Sequence, residues 1–414
     1  MTRVLLTGNG AAAWGARLAK VDYVPAFPIT PQTEIIETIA AWADQGETDC
    51  RMVTMESEHS MITAAGAAAA TGVRVYTATS SQGLLYGMEM LYTVAGWRAP
   101  FVLTNVSRAL AAPITLEPDH NDILAARDCG FLQIHCATCQ EIVDSTLLAY
   151  RLAEHQRVRL PTIVNLDGFY LSFTREPVEL PDADLAAQFV GTYDAENIKF
   201  RASAPSSQAV AVLGGSPYSY FRYEMHLAAR EALSVYDELA IEFSELFGRD
   251  YPAVETYRSD DADYAFVMLG CFATKAREAV DRLRDTGLPV GLVRPRLLRP
   301  FPAGQLRQIL AGKKAVAVID QNISLGKGGV LHAELASELY GQQDAPPVLA
   351  SFIGGLGGRD ISTQEFFHIA MVLQTAVAEN KTPEPQLLYT EDELRNMKKL
   401  QAIARIEQDE IGNS

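Results

Sequence analysis

Four short segments carry residue types that can do chemistry together. Met55-Glu56-Ser57-Glu58-His59 places a carboxylate just ahead of the Ala- and Gly-rich stretch 64–72. Side chains that small let another backbone or a cofactor approach closely. Taken alone, carboxylates at that position read first as helix caps that complement the helix dipole. Phe27-Pro28-Ile29-Thr30-Pro31-Gln32-Thr33-Glu34 sets the Thr30 hydroxyl between two prolines that fix the backbone. Alone, it reads as a turn into a helix with proline at its start. Thr79-Ser80-Ser81-Gln82-Gly83 closes one apolar run, and Ser107-Arg108-Ala109-Leu110 follows the next. Arg108 suits a substrate carboxylate and a solvated surface equally well.

These segments need a frame. Residues 1–170 alternate β-branched runs with Ala-rich stretches. Strands are expected at 73–79, 100–105, 132–136 and 161–166, and helices at 11–18, 33–43, 59–70, 83–95 and 139–155. That order predicts a parallel sheet covered by helices on both faces. In such a sheet the loops at the strand carboxyl ends form the ligand crevice, and helix N-termini there face anions. Segments 79–83 and 107–110 stand on that rim. Residues 171–207 are rich in Pro, Asp, Glu and Ser and read as a surface excursion. Residues 209–215 read as a further buried strand, followed by a long helix over 218–247 stopped by Gly248.

A second α/β unit begins near residue 262, with strands at 264–269, 290–293 and 315–320 and helices at 274–286 and 328–340. The Pro-rich 294–302 reads as a turn-rich connection. The domain division expected is 1–255, 256–379, and a polar C-terminal arm, 380–414, that packs on a neighbour or is partly disordered.

The formal net charge of −16, from 51 acidic and 35 basic residues, argues against nucleic acid, which needs a dense basic face. It equally disfavours an anionic membrane surface. The opening residues lack the features of a signal peptide, and no apolar run approaches the ~18 residues of a membrane span. Five scattered cysteines fit a reducing cytoplasm. Gly8-Asn9-Gly10 lacks the later spacing and the acidic residue of a dinucleotide fingerprint. Cys136-Ala137-Thr138-Cys139 is a lone pair, read as buried cysteines at a strand end and not as cluster or zinc ligands.

In combination, the segments FPITPQTEI, VTMESEHSM, TATSSQGL, SRALAAP with DHND, and VNLDGF occur in an order and spacing that resembles the alpha subunit of the pyruvate:ferredoxin (2-oxoacid:acceptor) oxidoreductase family. RPRLLRPFP, VIDQNISLGKGG and GGLGGRDI extend the resemblance over roughly residues 1–370. It implies a thiamine-enzyme pyrimidine-type domain followed by a transketolase C-terminal-like α/β domain. It implies CoA-dependent oxidative decarboxylation of a 2-oxoacid with thiamine diphosphate. Glu58 aligns with the carboxylate that hydrogen-bonds the cofactor's aminopyrimidine and favours its imino tautomer. Thr30 aligns with the substrate-contacting threonine and Arg108 with the carboxylate-binding arginine. Gln82, on the same rim, is expected to border the cofactor. Asp119-His120-Asn121-Asp122 matches a family pattern with no role assigned.

No Gly-Asp-Gly followed downstream by the diphosphate-binding Asn is present, nor a ferredoxin-type cysteine run. The resemblance therefore implies a beta subunit holding diphosphate and Mg2+, gamma- and delta-type subunits with [4Fe-4S] clusters, and ferredoxin, or NAD through a reductase subunit, as acceptor. No metal ligands are expected on this chain. The Thr-Ser-Ser-Gln-Gly loop fits the pyruvate-like branch better than the 2-oxoglutarate branch. Ile114-Thr115-Leu116-Glu117-Pro118 departs from a plain pyruvate enzyme, so bulkier substrates, including the aryl 2-oxoacid phenylglyoxylate, stay open. So do two other readings: a transketolase- or dehydrogenase-like chain without iron–sulfur partners, and a non-catalytic architectural subunit.

Overall fold

The computed structural model describes residues 2–194, 200–207 and 211–412. Two mixed sheets organise the chain. In the first, the strands run in the order Leu297–Arg299, Leu132–His135, Thr162–Asp167, Val102–Ser107, Tyr76–Thr79. The last four are mutually parallel. A bridge from Val75 to Tyr23 continues this sheet into the parallel pair Tyr23–Ala26 and Arg51–Thr54. Every residue of Tyr76–Thr79, Val102–Ser107, Leu132–His135 and Thr162–Asp167 is buried, as a sheet covered on both faces requires. The second sheet runs Gln386–Leu387, Val348–Ile353, Ala315–Asp320, Tyr264–Met268, Val290–Pro295, Val254–Tyr257, parallel except at the last edge.

The two units share a core. One continuous cluster contains Leu103 and Ile163 of the first sheet with Val267, Val293, Val316 and Val318 of the second. The other face of the first sheet packs on helices Gly8–Leu18, Cys139–Glu154 and the inner half of Gly215–Phe247. Gly248 ends that long helix in the left-handed conformation, the stop expected of it.

Small residues set the helix spacings near the rim. A side chain on Gly66 of helix Glu58–Ala70 would collide with Val94 of helix Met88–Gly96. The single helix expected over 83–95 is instead two, Gln82–Tyr86 and Met88–Gly96. They break at Gly87, where a Cβ would collide with Ile62 of the neighbouring helix.

Three other expectations need correction. The segment 171–207 holds the strand Arg175–Leu180, which pairs antiparallel with Thr2–Thr7, and the helix Ala183–Val190. The strand expected at 209–215 falls partly outside the described residues; of the described part, 211–215, residues 211–214 are irregular, with Leu213 97% exposed and in none of the sheets of the described residues, and Gly215 already opens the long helix. The connection 294–302 is no surface turn. Leu297–Arg299 adds an antiparallel edge to the first sheet, while Arg294 and Arg296 lie fully buried against Glu141 and Glu255. The C-terminal segment contributes Gln386–Leu387 to the second sheet and buried Leu388 to its core. Helix Glu391–Gly412 then carries exposed Leu394, Leu400, Ile403 and Ile406. No helix among the described residues is long and apolar enough to cross a membrane.

Candidate functional site

Helix Glu58–Ala70 begins at the rim, and its cap is Ser57, whose Oγ accepts from the Ser60 N–H at 3.2 Å. Glu56 is engaged by the Ser60 hydroxyl. Glu58 is therefore not the cap: it occupies the first helical position, 6% exposed. Among the described residues no other side chain hydrogen-bonds its carboxylate. Burial holds its carboxyl above the usual range, opposed only by its own backbone. Gly83 faces it: a Cβ there would collide with Glu58 Oε1 and stand 2.6 Å from Thr79 Oγ1. Thr79 Oγ1 and Ser80 Oγ are buried beside it without hydrogen-bond partners.

The structure brings the other three candidates together. Arg108 Nη1 donates to the Thr30 carbonyl at 2.7 Å, and Nη2 donates to Gln82 Oε1 at 2.8 Å. Arg108 is 9% exposed and its Nε is buried without a partner. No carboxylate among the described residues forms an ion pair with it, and burial pushes its guanidinium down against the opposing charge of Asp122. Thr30 itself is exposed, ahead of a cis peptide to Pro31. Gly8-Asn9-Gly10 supports this loop, since Asn9 Nδ2 donates to the Pro31 carbonyl at 2.8 Å. A buried guanidinium with no ion-paired carboxylate, a neutral carbonyl and an amide at its sides has the chemistry to accept a small anion.

The Asp119–Asp122 segment, to which the sequence alone assigns no role, forms the joint of the site in the structure. Asp122, fully buried, accepts from the backbone N–H groups of Ser81 and Arg108 and from Asn105 Nδ2. Burial raises its pKa, opposed by those donors and by Ile123 N–H. His120 Nε2 lies 2.6 Å from Asp167 Oδ1, both side chains 1% exposed. Burial works against both charged forms; mutual attraction nonetheless raises His120 and lowers Asp167. Asp167 Oδ2 also accepts from Cys271 N–H, His120 N–H donates to the Gln321 carbonyl, and Asp119 accepts from Gly357 N–H. The segment thus ties the first unit to three loops of the second. The available signal was four consecutive polar residues running straight into the apolar Ile123-Leu124.

The remaining candidates lie elsewhere. Cys136 and Cys139 are buried free thiols, and burial pushes Cys136 up to about 12. Neither is a reactive thiolate at neutral pH. Among the described residues no group of three or more His, Cys, Asp or Glu is placed to hold a metal.

Comparison with known proteins identifies the family and the fold. The family described as pyruvate flavodoxin/ferredoxin oxidoreductase, thiamine diP-bdg, matches residues 14–240. Pyruvate:ferredoxin oxidoreductase core domain II matches residues 262–366. The chain is 38% identical to pyruvate synthase subunit PorA of Pyrococcus furiosus over 383 residues, 92% of this chain and 96% of that one. It is 39% identical to ketoisovalerate oxidoreductase subunit VorA of Pyrococcus horikoshii over 379 residues, 91% of this chain and 95% of that one. Its fold is shared with a solved 2-oxoglutarate:ferredoxin oxidoreductase from Magnetococcus marinus, at a TM-score of 0.68 and 19% identity. That match covers 92% of this chain and 65% of the longer one.

Proposed function

The chain belongs to the pyruvate flavodoxin/ferredoxin oxidoreductase family, and we propose that within it this chain is the alpha-type catalytic subunit of a CoA-acylating 2-oxoacid oxidoreductase. The reaction takes a 2-oxoacid and CoA to acyl-CoA and carbon dioxide, and two electrons pass to iron–sulfur partner subunits. The observation that carries this reading is the Arg108 guanidinium, buried without a carboxylate partner, bound to Thr30 and Gln82 one residue from the glycine that faces Glu58.

Thiamine diphosphate fits the residues present. A carboxyl held above its usual range by burial, unengaged by other side chains and floored by a glycine, suits a flat heteroaromatic ring bearing a basic nitrogen. When bound, that cofactor supplies a carbon nucleophile and an electron sink for decarboxylation. Glu58 holds the proton at the pyrimidine nitrogen. Arg108 binds the 2-oxoacid carboxylate. The Thr30 hydroxyl contacts the substrate, and Gln82 borders the cofactor while anchoring Arg108. One guanidinium with neutral neighbours orients the carboxylate without stabilising it so strongly that loss of carbon dioxide is suppressed.

The remaining parts belong to partners in this reading: Mg2+ and the diphosphate on a beta-type subunit, [4Fe-4S] clusters on gamma- and delta-type subunits, and ferredoxin, or NAD through a reductase subunit, beyond them. The domain division proposed is 1–255, 256–379 and an arm from 380, with strand Val254–Tyr257 crossing the first boundary and residues 386–388 of the arm joining the second sheet and its core. Five buried, unpaired cysteines support a cytoplasmic setting. Similarity to a ketoisovalerate enzyme is as high as to a pyruvate enzyme, so the substrate is pyruvate or a bulkier 2-oxoacid, aryl ones included. The test is to purify the chain with its partners and assay CoA-dependent decarboxylation of pyruvate, branched and aryl 2-oxoacids. Glu58→Gln should abolish turnover with assembly intact. Full turnover in that variant would leave the chain an architectural subunit, and a colourless, iron-free active complex would exclude iron–sulfur partners.

A further inference from the structure

Two loops from adjacent parallel strands supply the anion receptor, and something must set the distance between them. Strands Tyr76–Thr79 and Val102–Ser107 pair with Thr79 opposite Asn105, so Ser81-Gln82 and Arg108 emerge side by side without a direct backbone link. Asp122 stands between them. Its Oδ2 accepts from Ser81 N–H at 3.0 Å, Arg108 N–H at 3.1 Å and Asn105 Nδ2 at 3.2 Å. Its Oδ1 accepts from Ser107 Oγ at 3.0 Å and Ile123 N–H at 2.7 Å. Five donors converge on one side chain that is wholly withdrawn from water. An ionised carboxylate is acceptor-only and suits that set; an amide must turn NH2 toward one group of donors.

The same contact holds a strained residue. Ser81 has φ 51° and ψ −124°, a conformation that a non-glycine residue keeps only under constraint. Asp122 fixes its N–H. Its hydroxyl lies 2.5 Å from Gln82 Oε1 and 2.9 Å from the Ala109 carbonyl, close enough to join the two loops a second time. Gln82 Oε1 is the atom that receives Arg108 Nη2. The guanidinium is thus aimed from both ends: its own backbone is pinned by Asp122, and the amide that holds its tip follows a serine pinned by the same carboxylate.

We propose that Asp122 is the positioning residue for 2-oxoacid binding: it sets the spacing of the Gln82 and Arg108 loops, and so the aim of the Arg108 guanidinium. This rests on Arg108 being the receptor for the substrate carboxylate. Asp122 touches neither substrate nor cofactor, so its removal raises KM for the 2-oxoacid, leaves KM for CoA in place, and acts only through Arg108.

The experiment uses the assembled complex carrying Asp122→Asn, Arg108→Gln, both together, and Ser81→Ala. KM for the 2-oxoacid, KM for CoA, kcat and melting temperature are measured for each. A misaimed receptor raises KM for the 2-oxoacid about tenfold in Asp122→Asn while kcat falls by less than about threefold. In the Arg108→Gln background the Asp122→Asn change adds nothing further to KM, because the group it aims is gone. Additive effects, or equal rises in both KM values, overturn the positioning role and leave Asp122 a fold-stabilising residue. If Arg108→Gln leaves KM unchanged, the reading of Arg108 itself has failed, a result distinct from either. Should Asp122→Asn not assemble, Ser81→Ala decides: it removes the second tie between the loops, and a KM for the 2-oxoacid no higher than in the unaltered complex defeats the proposal.

Discussion

A Cβ on Gly83 would collide with Oε1 of Glu58 and stand 2.6 Å from Oγ1 of Thr79. The glycine is thus the wall against which the carboxylate rests. Gly83→Ala should displace Glu58 without unfolding a helix whose other residues are untouched. A shift of about 1 Å at a reacting group costs on the order of a hundredfold in rate. Decarboxylation of the complex should fall by that factor while circular dichroism and melting temperature stay close to the parent. A variant with full turnover would show that the carboxylate has room to spare.

The helix that carries Glu58 separates capping from catalysis. Ser57 is the cap, through its hydroxyl to Ser60 N–H. Ser57→Ala should cost about 1 kcal/mol of stability, the scale for a lost N-cap, and lower turnover only modestly. Glu58→Gln should do the reverse: little loss of stability and near-total loss of decarboxylation. Paired thermal melts and activity assays distinguish the two, and matching profiles would mean that Glu58 serves the helix after all.

This division explains what could be read in the residues beforehand and what could not. Strand and helix periodicity placed the parallel sheet and the rim that carries Gln82 and Arg108, because a sheet buried on both faces writes itself as continuous apolar runs; the chemical roles of Glu58, Thr30 and Arg108 came from the family resemblance alone. Ser57 and Glu58 sit side by side, so spacing alone could not say which one caps. The Arg294–Pro302 stretch misled for a physical reason. Arginines and prolines read as surface turn, yet Arg294 and Arg296 are neutralised by Glu141 and Glu255, residues far away in sequence. Asp122 was visible as a motif without a role, because its five donors come from segments that only the fold assembles.

Glu141 gives the first pH test of the fold. Burial opposes its charge, but Arg294 and Arg296 hold its carboxyl down to about 2. A depressed carboxylate contributes stability that is present above its unfolded value near 4.5 and lost as pH falls toward 2. Glu141→Gln leaves two buried guanidinium groups short of charge, a loss of about 3–5 kcal/mol for a broken buried pair. Thermal melts at neutral pH should show that full deficit. Between pH 4.5 and the onset of acid unfolding the gap between parent and variant should narrow. A gap that stays constant there would mean that Glu141 contributes through shape and not charge.

The pair His120 and Asp167 has the opposite pH signature on its histidine side. Asp167, with Asp122 and Asp119 farther off, raises His120 above its usual value near 6.5. The stability this provides is complete below pH 6.5 and is lost as pH rises through the raised folded value. Asp167 is lowered, so its own contribution persists down to acid pH. Asp320, pushed up to about 7 by burial, titrates nearby, and the informative quantity is therefore the difference between parent and His120→Gln. That difference should be about 3 kcal/mol or more below pH 6.5, the cost of stranding a buried partner. It should shrink steadily on the alkaline side. The imidazolium links Asp167, which holds Cys271 of the second unit, to a backbone that holds Gln321. Hydrogen exchange at Cys271 and at Gly357, whose amide is bound by Asp119, should therefore quicken in step with the loss. A stability difference without that local opening would place the effect in the first unit alone and disconnect the dyad from the joint between the two sheets.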